Sequence, residues 1–173
     1  MKERIPTQFE LFAQEIRTML EKDQDMRKRA LENNGVIESE EDDKIDAQNT
    51  ERMKEIIRQI GWPTISKVGK EVSDMAELLV RHADHDVEFQ KQCLQLMKEA
   101  KGDVDQINLA FLEDRVRVNE GRLQLYGTQF FGEGENYGPR PIEDQDHVDE
   151  RRKAVGMESL AEYTKILKEK YNE

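Results

Sequence analysis

The sequence predicts a mainly α-helical protein, a single helical domain over residues 1–173 with about six or seven helices and one small β-hairpin. Three observations support this prediction. Apolar residues recur at steps of three and four along most of the chain, as they do on the buried face of a helix. Capping residues and Gly or Pro stops separate these stretches. Only the region 123–130 alternates with a period of two, which is typical of strands, and a turn and a short return segment to Ile142 follow it.

Four helices are predicted in the N-terminal half, because each apolar stretch there has its own start and stop signals. Hydroxyl, amide or carboxylate side chains favour the starts, and Gly or Pro favours most of the stops. The predicted limits in chain order are Pro6 or Thr7 to about Ala30, Asn49 or Thr50 to Gly61, Ser66 or Val68 to the eighties, and Asp84 or Asp86 to Gly102.

Three further helices and the hairpin are predicted in the C-terminal half. The last helix has the clearest start, because Ser159 and Glu162 form the Ser-x-x-Glu pattern of a capping box. The other predicted elements are a helix from Asp103 or Asp105 to Gly121, a strand from Leu123 to Phe130, a turn from Gly132 to Asn136, a return strand to Ile142 and a short helix from Asp146 to Gly156.

The acidic residues are concentrated in residues 32–48. The chain has 27 Lys+Arg against 38 Asp+Glu, a net charge of −11, and this stretch has seven acids and one base. Dense like charge with few apolar groups predicts a solvated linker or long loop within the domain. An acidic calcium loop is the sharper alternative, but its ligand spacing is missing.

The composition disfavours several kinds of partner and compartment. A net negative charge argues against nucleic acid, since phosphate binding requires a basic face. No apolar run approaches the ~20 residues of a membrane span, and the N-terminus lacks the apolar region of a signal peptide. The single cysteine, Cys93, lies on an apolar stripe, which indicates a small core residue in a reducing compartment. We therefore predict a cytoplasmic protein with no nucleic-acid or membrane partner.

Carboxylates interrupt the apolar stripes of two predicted helices. Asp23 takes a seam position on the first helix, with Arg27 four residues later, and Asp114 takes one on the fifth helix, beside Arg115. A buried carboxylate needs a charged or hydrogen-bonding partner, so the two sets suggest a polar pocket between helices. The alternatives are a first helix whose C-terminal half reaches solvent, and a plain buried ion pair at Asp114.

The junction of the third and fourth helices is rich in histidine and aspartate. His82 follows the apolar stripe and is predicted to face inward, where Asp84 or Asp86 can orient it as a general acid or base. His82, His85 and Asp86 also have a spacing that can hold one divalent metal, although the pattern is unspecific. The alternative is a pair of capping aspartates beside one inward and one exposed histidine.

The predicted hairpin has polar side chains on one face. Leu123 and Leu125 alternate with Gln124, Tyr126 and then Gln129. Amide and phenol groups form directional hydrogen bonds with neutral polar ligands. The alternative is an ordinary solvated sheet face.

Several motifs together resemble a mostly bacterial family that is known only as a domain of unknown function. The resemblance extends over roughly residues 16–165 and includes Asp23, Gln24, Arg27 and Asn49, so it favours the same polar residues as the periodicity. It implies no activity, substrate or cofactor. The motifs are Gly-Trp-Pro-Thr at 61–64, His-Ala-Asp-His-Asp at 82–86, Asp-Arg-Val at 114–116, Asn-Glu-Gly-Arg at 119–122 and Gln-Leu-Tyr-Gly-Thr-Gln-Phe at 124–130.

The predicted function is that of a small enzyme, a hydrolase or group transferase, with a polar pocket between helices for a small polar or anionic substrate. In it Arg27 and Arg115 bind an anionic group and Asp23 and Asp114 orient them. The predicted catalytic residues are His82, Asp84, Asp86 and Asp114, and the predicted substrate-binding residues are Asp23, Gln24, Arg27, Asn49, Arg115, Gln124, Tyr126 and Gln129. The alternative is a non-catalytic acidic protein that binds or neutralises a basic protein partner.

Overall fold

The computed structural model describes residues 5–33 and 42–171. The chain divides into two compact units, Met1–Val104 and Asp105–Glu173, called the N-terminal and C-terminal units below. The described residues form eight α-helices and one two-stranded antiparallel sheet, so the mainly α fold class is confirmed. The single domain over residues 1–173 stays a prediction.

The N-terminal unit is a helical bundle arranged around its fourth helix. Its helices are α1 (Gln8–Glu32), α2 (Ile45–Ile60), α3 (Ile65–Val68), α4 (Lys70–Arg81) and α5 (Val87–Glu99). Helix α4 contacts the other four, and it buries Val72, Ala76 and Val80 completely. A helix with neighbours on most sides needs a wide apolar face, which the sequence of α4 supplies.

Helix α1 begins where the sequence predicted and buries the predicted stripe from Phe12 to Met26, whereas Phe9 at its start is exposed. Thr7 accepts a hydrogen bond from the Glu10 backbone and Glu10 bonds back to Thr7, which completes a capping box. Asp23 lies on the buried stripe and is 0% exposed. The alternative in which this half of the helix faces solvent is therefore wrong.

Helix α2 begins earlier than predicted. It starts at Ile45, after a short 3-10 helix over Asp42–Lys44, and Thr50 lies inside it with its hydroxyl donating to the carbonyl of Asp46 at 2.8 Å. Residues 45–48 of the predicted linker are therefore helical, and residues 34–41 lie outside the described residues. The repulsion expected among the acids is reduced because Arg29 binds Asp42 at 2.7 Å.

The predicted third helix is divided in two by a glycine. Gly69 has a φ of 83°, a conformation that glycine adopts without strain, and it separates α3 from α4. Asp86 caps α5 as one of the two predicted residues, since its Oδ1 accepts from the Phe89 amide at 3.0 Å. Cys93 of α5 is 0% exposed, and burial raises the pKa of its thiol, as expected for a core residue.

The C-terminal unit combines three helices with the small sheet. The predicted caps Asp105 and Ser159 are confirmed, because Asp105 accepts from two backbone amides and Ser159 and Glu162 form the capping box. Asp146 is not a cap but lies in a 3-10 helix over Gln145–His147. The elements are α6 (Gln106–Asn119), β1 (Phe130–Phe131), β2 (Gly138–Pro139), α7 (Val148–Ala154) and α8 (Leu160–Tyr171).

The predicted hairpin is much shorter than the sequence suggested. Within the described residues of this region only β1 and β2 pair as antiparallel strands. Residues 123–129 form a loop that meets the return segment at an isolated bridge between Gln124 and Ile142 and through the Arg140 amide, which donates to the Gln129 carbonyl at 2.8 Å. The alternation over 123–130 therefore does not produce a strand. The reason is that the backbone amides of this loop bond to a side chain of α6, as described below.

No helix within residues 5–33 or 42–171 combines the length and the apolar character that crossing a bilayer requires.

Candidate functional site

A buried carboxylate, Asp23 of α1, is the centre of a polar cluster in the N-terminal unit. Its Oδ2 accepts from Nε2 of Gln24 at 2.8 Å and from Nε of Arg27 at 3.3 Å. Its Oδ1 lies 3.2 Å from Nη2 of Arg27 and 2.9 Å from Nδ1 of His82. The predicted pairing of Asp23 with Arg27 is confirmed, and the structure adds His82 from the end of α4.

These partners keep Asp23 ionised. Burial raises the pKa of its carboxyl, but the hydrogen bonds and electrostatic interactions with His82 and Arg27 outweigh that effect and hold the pKa below its ordinary value. A carboxylate that is charged and fully enclosed is a strong acceptor for the histidine ring.

Arg27 joins the carboxylates of α1 and α2. Its Nη2 lies 2.7 Å from Oδ1 of Asp46 as well as 3.2 Å from Asp23. The side chain is 35% exposed, and its Nη1 has no hydrogen-bond partner among the described residues. The guanidinium is thus fixed at one edge and open at the other, an arrangement suited to binding an anionic group.

The tautomer of His82 follows from its two neighbours. Nδ1 lies 2.9 Å from Asp23 Oδ1 and 3.1 Å from Nε of Arg27. A carboxylate can only accept, so we assign the proton to Nδ1. Arg27 keeps a partner in this arrangement, because its Nε also faces Asp23 Oδ2.

The other nitrogen of the ring is the chemically available one. In the part of the chain that the structure describes, Nε2 of His82 has no hydrogen-bond partner, and the side chain is 15% exposed. With the proton on Nδ1, Nε2 carries the lone pair of the neutral imidazole. The ring can therefore accept a proton there.

The predicted partners of His82 have other contacts. Asp86 caps α5 and its Oδ2 lies 2.7 Å from Nζ of Lys54, while Asp84 accepts from Nε2 of Gln90 at 3.3 Å. The prediction that Asp84 or Asp86 orients His82 is therefore wrong, and Asp23 takes that position. The spacing within one segment could not reveal a partner that is 59 residues away.

A possible cation site lies at different residues from the predicted ones. Ligand atoms of Asp23, Asp46 and His82 lie within 4.8 Å of one another, whereas His85, of the predicted set, is exposed and Asp86 binds Lys54. The guanidinium of Arg27 lies between the two carboxylates. A divalent ion would have to displace it, so we assign the positive charge of this site to Arg27.

The C-terminal unit has a second fully buried aspartate, Asp114 of α6. Its two oxygens accept from the backbone amides of Leu125, Tyr126 and Thr128 at 2.6–3.2 Å and from the Thr128 hydroxyl at 2.9 Å. Burial raises the pKa of this carboxyl, and the hydrogen bonds offset that effect only in part. The predicted ion pair of Asp114 with Arg115 is wrong, because backbone amides occupy the carboxylate.

The side-chain amides that were predicted to bind a ligand in the C-terminal unit instead form hydrogen bonds around their own loop. Gln124 is 0% exposed and donates to the carbonyls of Gln129 and Arg140 at 3.0 and 2.7 Å. Gln129 donates through its side chain to the Thr128 hydroxyl at 2.9 Å. We therefore assign both side chains a structural role in the loop.

Tyr126 and Arg152 complete this loop. Arg152 of α7 is 1% exposed, and its Nη1 and Nε donate to the carbonyls of Tyr126 and Glu158 at 2.6 and 2.7 Å. Burial raises the pKa of the half-buried Tyr126 phenol, with further contributions from the charges of Glu113 and Asp114.

Two important residues were missed by reasoning from the sequence. Asp46 belongs to the acidic stretch that was interpreted as a solvated linker, and Arg152 belongs to a short, strongly charged helix. The helical spacing gave a weak indication of each. Asp46 lies one turn before Thr50, and Arg152 lies one turn after Val148. Thr50 and Val148 are both buried, so each missed residue shares a helix face with a buried one.

Comparison with known proteins identifies the family. A model of a family of unknown function (DUF6624) matches residues 10–173, and the chain belongs to that family. No curated protein and no solved structure matches the chain significantly.

Proposed function

We propose that this protein is an acid–base enzyme, a hydrolase or group transferase that acts on a small polar or anionic substrate, with His82 as the general base. The observation that supports the proposal best is the asymmetry of the His82 ring. Nδ1 is held by the buried Asp23 carboxylate at 2.9 Å, and Nε2 has no partner among the described residues. Carboxylate–imidazole pairs of this kind activate a hydroxyl or a water molecule in many enzymes.

Each neighbouring group has a defined role in the proposed reaction. Nε2 takes the proton from a water molecule or substrate hydroxyl, and Asp23 stabilises the imidazolium that forms. The open Nη1 of Arg27 binds an anionic oxygen of the substrate, while Asp46 restrains the guanidinium from α2. His82 then returns the proton to the leaving group, so that acid and base are the same residue.

The alternative proposal, an acidic protein that binds a basic partner, depends on free negative charge. Two acids of the predicted linker are already paired within the chain, Asp42 with Arg29 and Asp46 with Arg27. These pairs reduce the charge available to a partner and make the acid–base proposal the stronger one.

The test is turnover of chromogenic substrates by the purified protein and three variants. The substrates are p-nitrophenyl acetate, p-nitrophenyl phosphate and bis-p-nitrophenyl phosphate, which sample ester, phosphomonoester and phosphodiester cleavage. We expect His82→Ala to lower kcat/KM about 100-fold or more on at least one of them, and Asp23→Asn to lower it by a smaller factor.

His85→Ala is the matched control, because His85 is an exposed histidine of the same segment. It should retain the activity of the unmodified protein. Equal rates for His82→Ala and the unmodified protein on every substrate, or no turnover of any of them, would contradict the proposal.

A further inference from the structure

A second polar feature of the N-terminal unit lies in a groove between α1 and α2. The groove has a volume of about 260 Å³, slightly below the ~300 Å³ at which pockets for drug-sized ligands begin. Its lining residues repeat at helical spacing, with Glu15, Thr18, Met19 and Lys22 on α1 and Ile45, Gln48, Asn49 and Arg52 on α2. None of these belongs to the His82 cluster, so the groove is a separate site.

Asn49 is the unusual member of this lining. It is 8% exposed, and its Nδ2 is buried without a hydrogen-bond partner among the described residues. Buried polar groups in proteins are almost always hydrogen-bonded, and asparagine is also a poor residue for the interior of a helix. An apolar side chain would serve the packing of α2 better at this position.

The charged side chains around the groove differ in whether they form ion pairs. Arg52 and Glu15 form a two-point ion pair at one end, with Nε–Oε1 at 2.5 Å and Nη2–Oε2 at 2.8 Å. Lys22 is exposed and has no ion pair among the described residues. The groove therefore offers one unused cation, one unused amide and, in Met19 and Ile45, two buried apolar side chains.

We propose that this groove binds a small carboxylate that also carries an amide, of the size of an N-acylated amino acid. The planar amide of Asn49 has a donor and an acceptor side by side, which match the carbonyl and N–H of a second amide. Lys22 binds the carboxylate, and the short aliphatic part of the ligand covers Met19 and Ile45. Because Nδ2 of Asn49 is enclosed in the ligand-free chain, the amide has to turn about its terminal torsion to face the groove. The ligand then supplies the hydrogen bonds that Asn49 lacks within the chain.

The test is a titration of ¹⁵N-labelled full-length protein with N-acetylalanine, followed by NMR at the side-chain amide of Asn49. Acetate and N-methylacetamide serve as probes that carry only the carboxylate or only the amide. We expect a saturable shift with N-acetylalanine and affinities at least about tenfold weaker for the two partial probes. Lys22→Ala should weaken binding by a similar factor, and Lys28→Ala, which removes another exposed lysine of α1, should not.

Asn49→Leu separates a binding role from a structural one. If the amide is kept for a ligand, this variant loses the binding of N-acetylalanine and unfolds at a higher temperature than the unmodified protein, because it replaces an unsatisfied polar group. A lower unfolding temperature would show that Asn49 stabilises the fold and would overturn the proposal. The absence of a saturable shift with N-acetylalanine would overturn it equally, whatever the outcome of the turnover assays.

Discussion

Asp23 and Asp114 are both 0% exposed, and the two units of the protein hold them in opposite ways. Asp23 is bonded to side chains, among them a histidine and an arginine that are themselves partly exposed. Asp114 is bonded to three backbone amides and a hydroxyl of one loop. The first carboxylate is connected to solvent through groups that can exchange protons or bind an anion, and the second fixes the path of the chain. Burial of a charge alone therefore does not identify a functional site. The kind of group that binds the charge distinguishes a functional carboxylate from a structural one.

Of the changes considered, loss of the Asp114 carboxylate should lower the stability of the protein most. In Asp114→Ala the buried backbone amide of Thr128 and the part-buried amides of Leu125 and Tyr126 lose their acceptor. A buried group left in this way costs about 1–3 kcal/mol, so we expect the free energy of unfolding to fall by about 3 kcal/mol. Urea denaturation followed by circular dichroism measures this change.

Two variants calibrate that measurement. Asp146→Ala removes an exposed aspartate of the same unit and should change the stability by less than about 0.5 kcal/mol. Asp23→Ala should cost less than Asp114→Ala, because Arg27 keeps Asp46 as a partner. An Asp114→Ala variant as stable as Asp146→Ala would remove the distinction between the two carboxylates.

The contributions of the two aspartates to stability should depend on pH with opposite signs. The pKa of Asp23 is lowered in the folded protein, so its contribution to stability is complete above the unfolded value of about 3.9 and is lost as the pH falls through the folded value. The pKa of Asp114 is raised, so its charge-linked contribution is present at low pH and is lost as the pH rises through the folded value.

Carboxyl ¹³C NMR of the unmodified protein measures both titrations directly. Asp23 should titrate below the ordinary range of an aspartate and Asp114 above it. Identical midpoints would show that the side-chain and backbone partners act alike. In a parallel stability series, the difference between the unmodified protein and Asp23→Asn should shrink on acidification below about pH 4.

The smallest effects should come from the capping boxes, one in each unit. Thr7→Ala and Ser159→Ala each remove a side chain that accepts a hydrogen bond from the first turn of a helix, and each should cost about 1 kcal/mol in urea denaturation. Thr18→Ala is the control, since Thr18 lies within α1 on its exposed side and alanine favours a helix. A cost for Thr18→Ala as large as that for Thr7→Ala would argue against capping as the cause.

The periodic parts of the fold could be predicted from the sequence. Thr7, Asp86, Asp105 and Ser159 all cap helices as predicted, because caps and apolar stripes are local signals. The prediction of a strand over 123–130 was wrong, although apolar and polar residues do alternate there. The amides of Leu125, Tyr126 and Thr128 bond to Asp114, and this competing acceptor cannot be recognised from a pattern within the segment.

The candidate site was predicted in part for the same reason. Asp23 and Arg27 lie four residues apart on one helix, so their pairing could be inferred from spacing. The contact of His82 with Asp23 joins α4 to α1, and that of Asp46 with Arg27 joins α2 to α1. Such contacts depend on how helices pack, which the spacing of residues along one chain does not specify.

The loop around Asp114 also has a consequence for the order in which the molecule assembles. Its amides lie 11–14 residues beyond the carboxylate, whereas His82 lies 59 residues beyond Asp23. Because the entropy of loop closure grows with the logarithm of loop length, the longer closure costs about 1.5 kcal/mol more. The short closure can form together with α6, but the His82 cluster exists only once α1, α2 and α4 have packed together. A partly folded chain can thus retain the loop around Asp114 after it has lost its proposed chemistry.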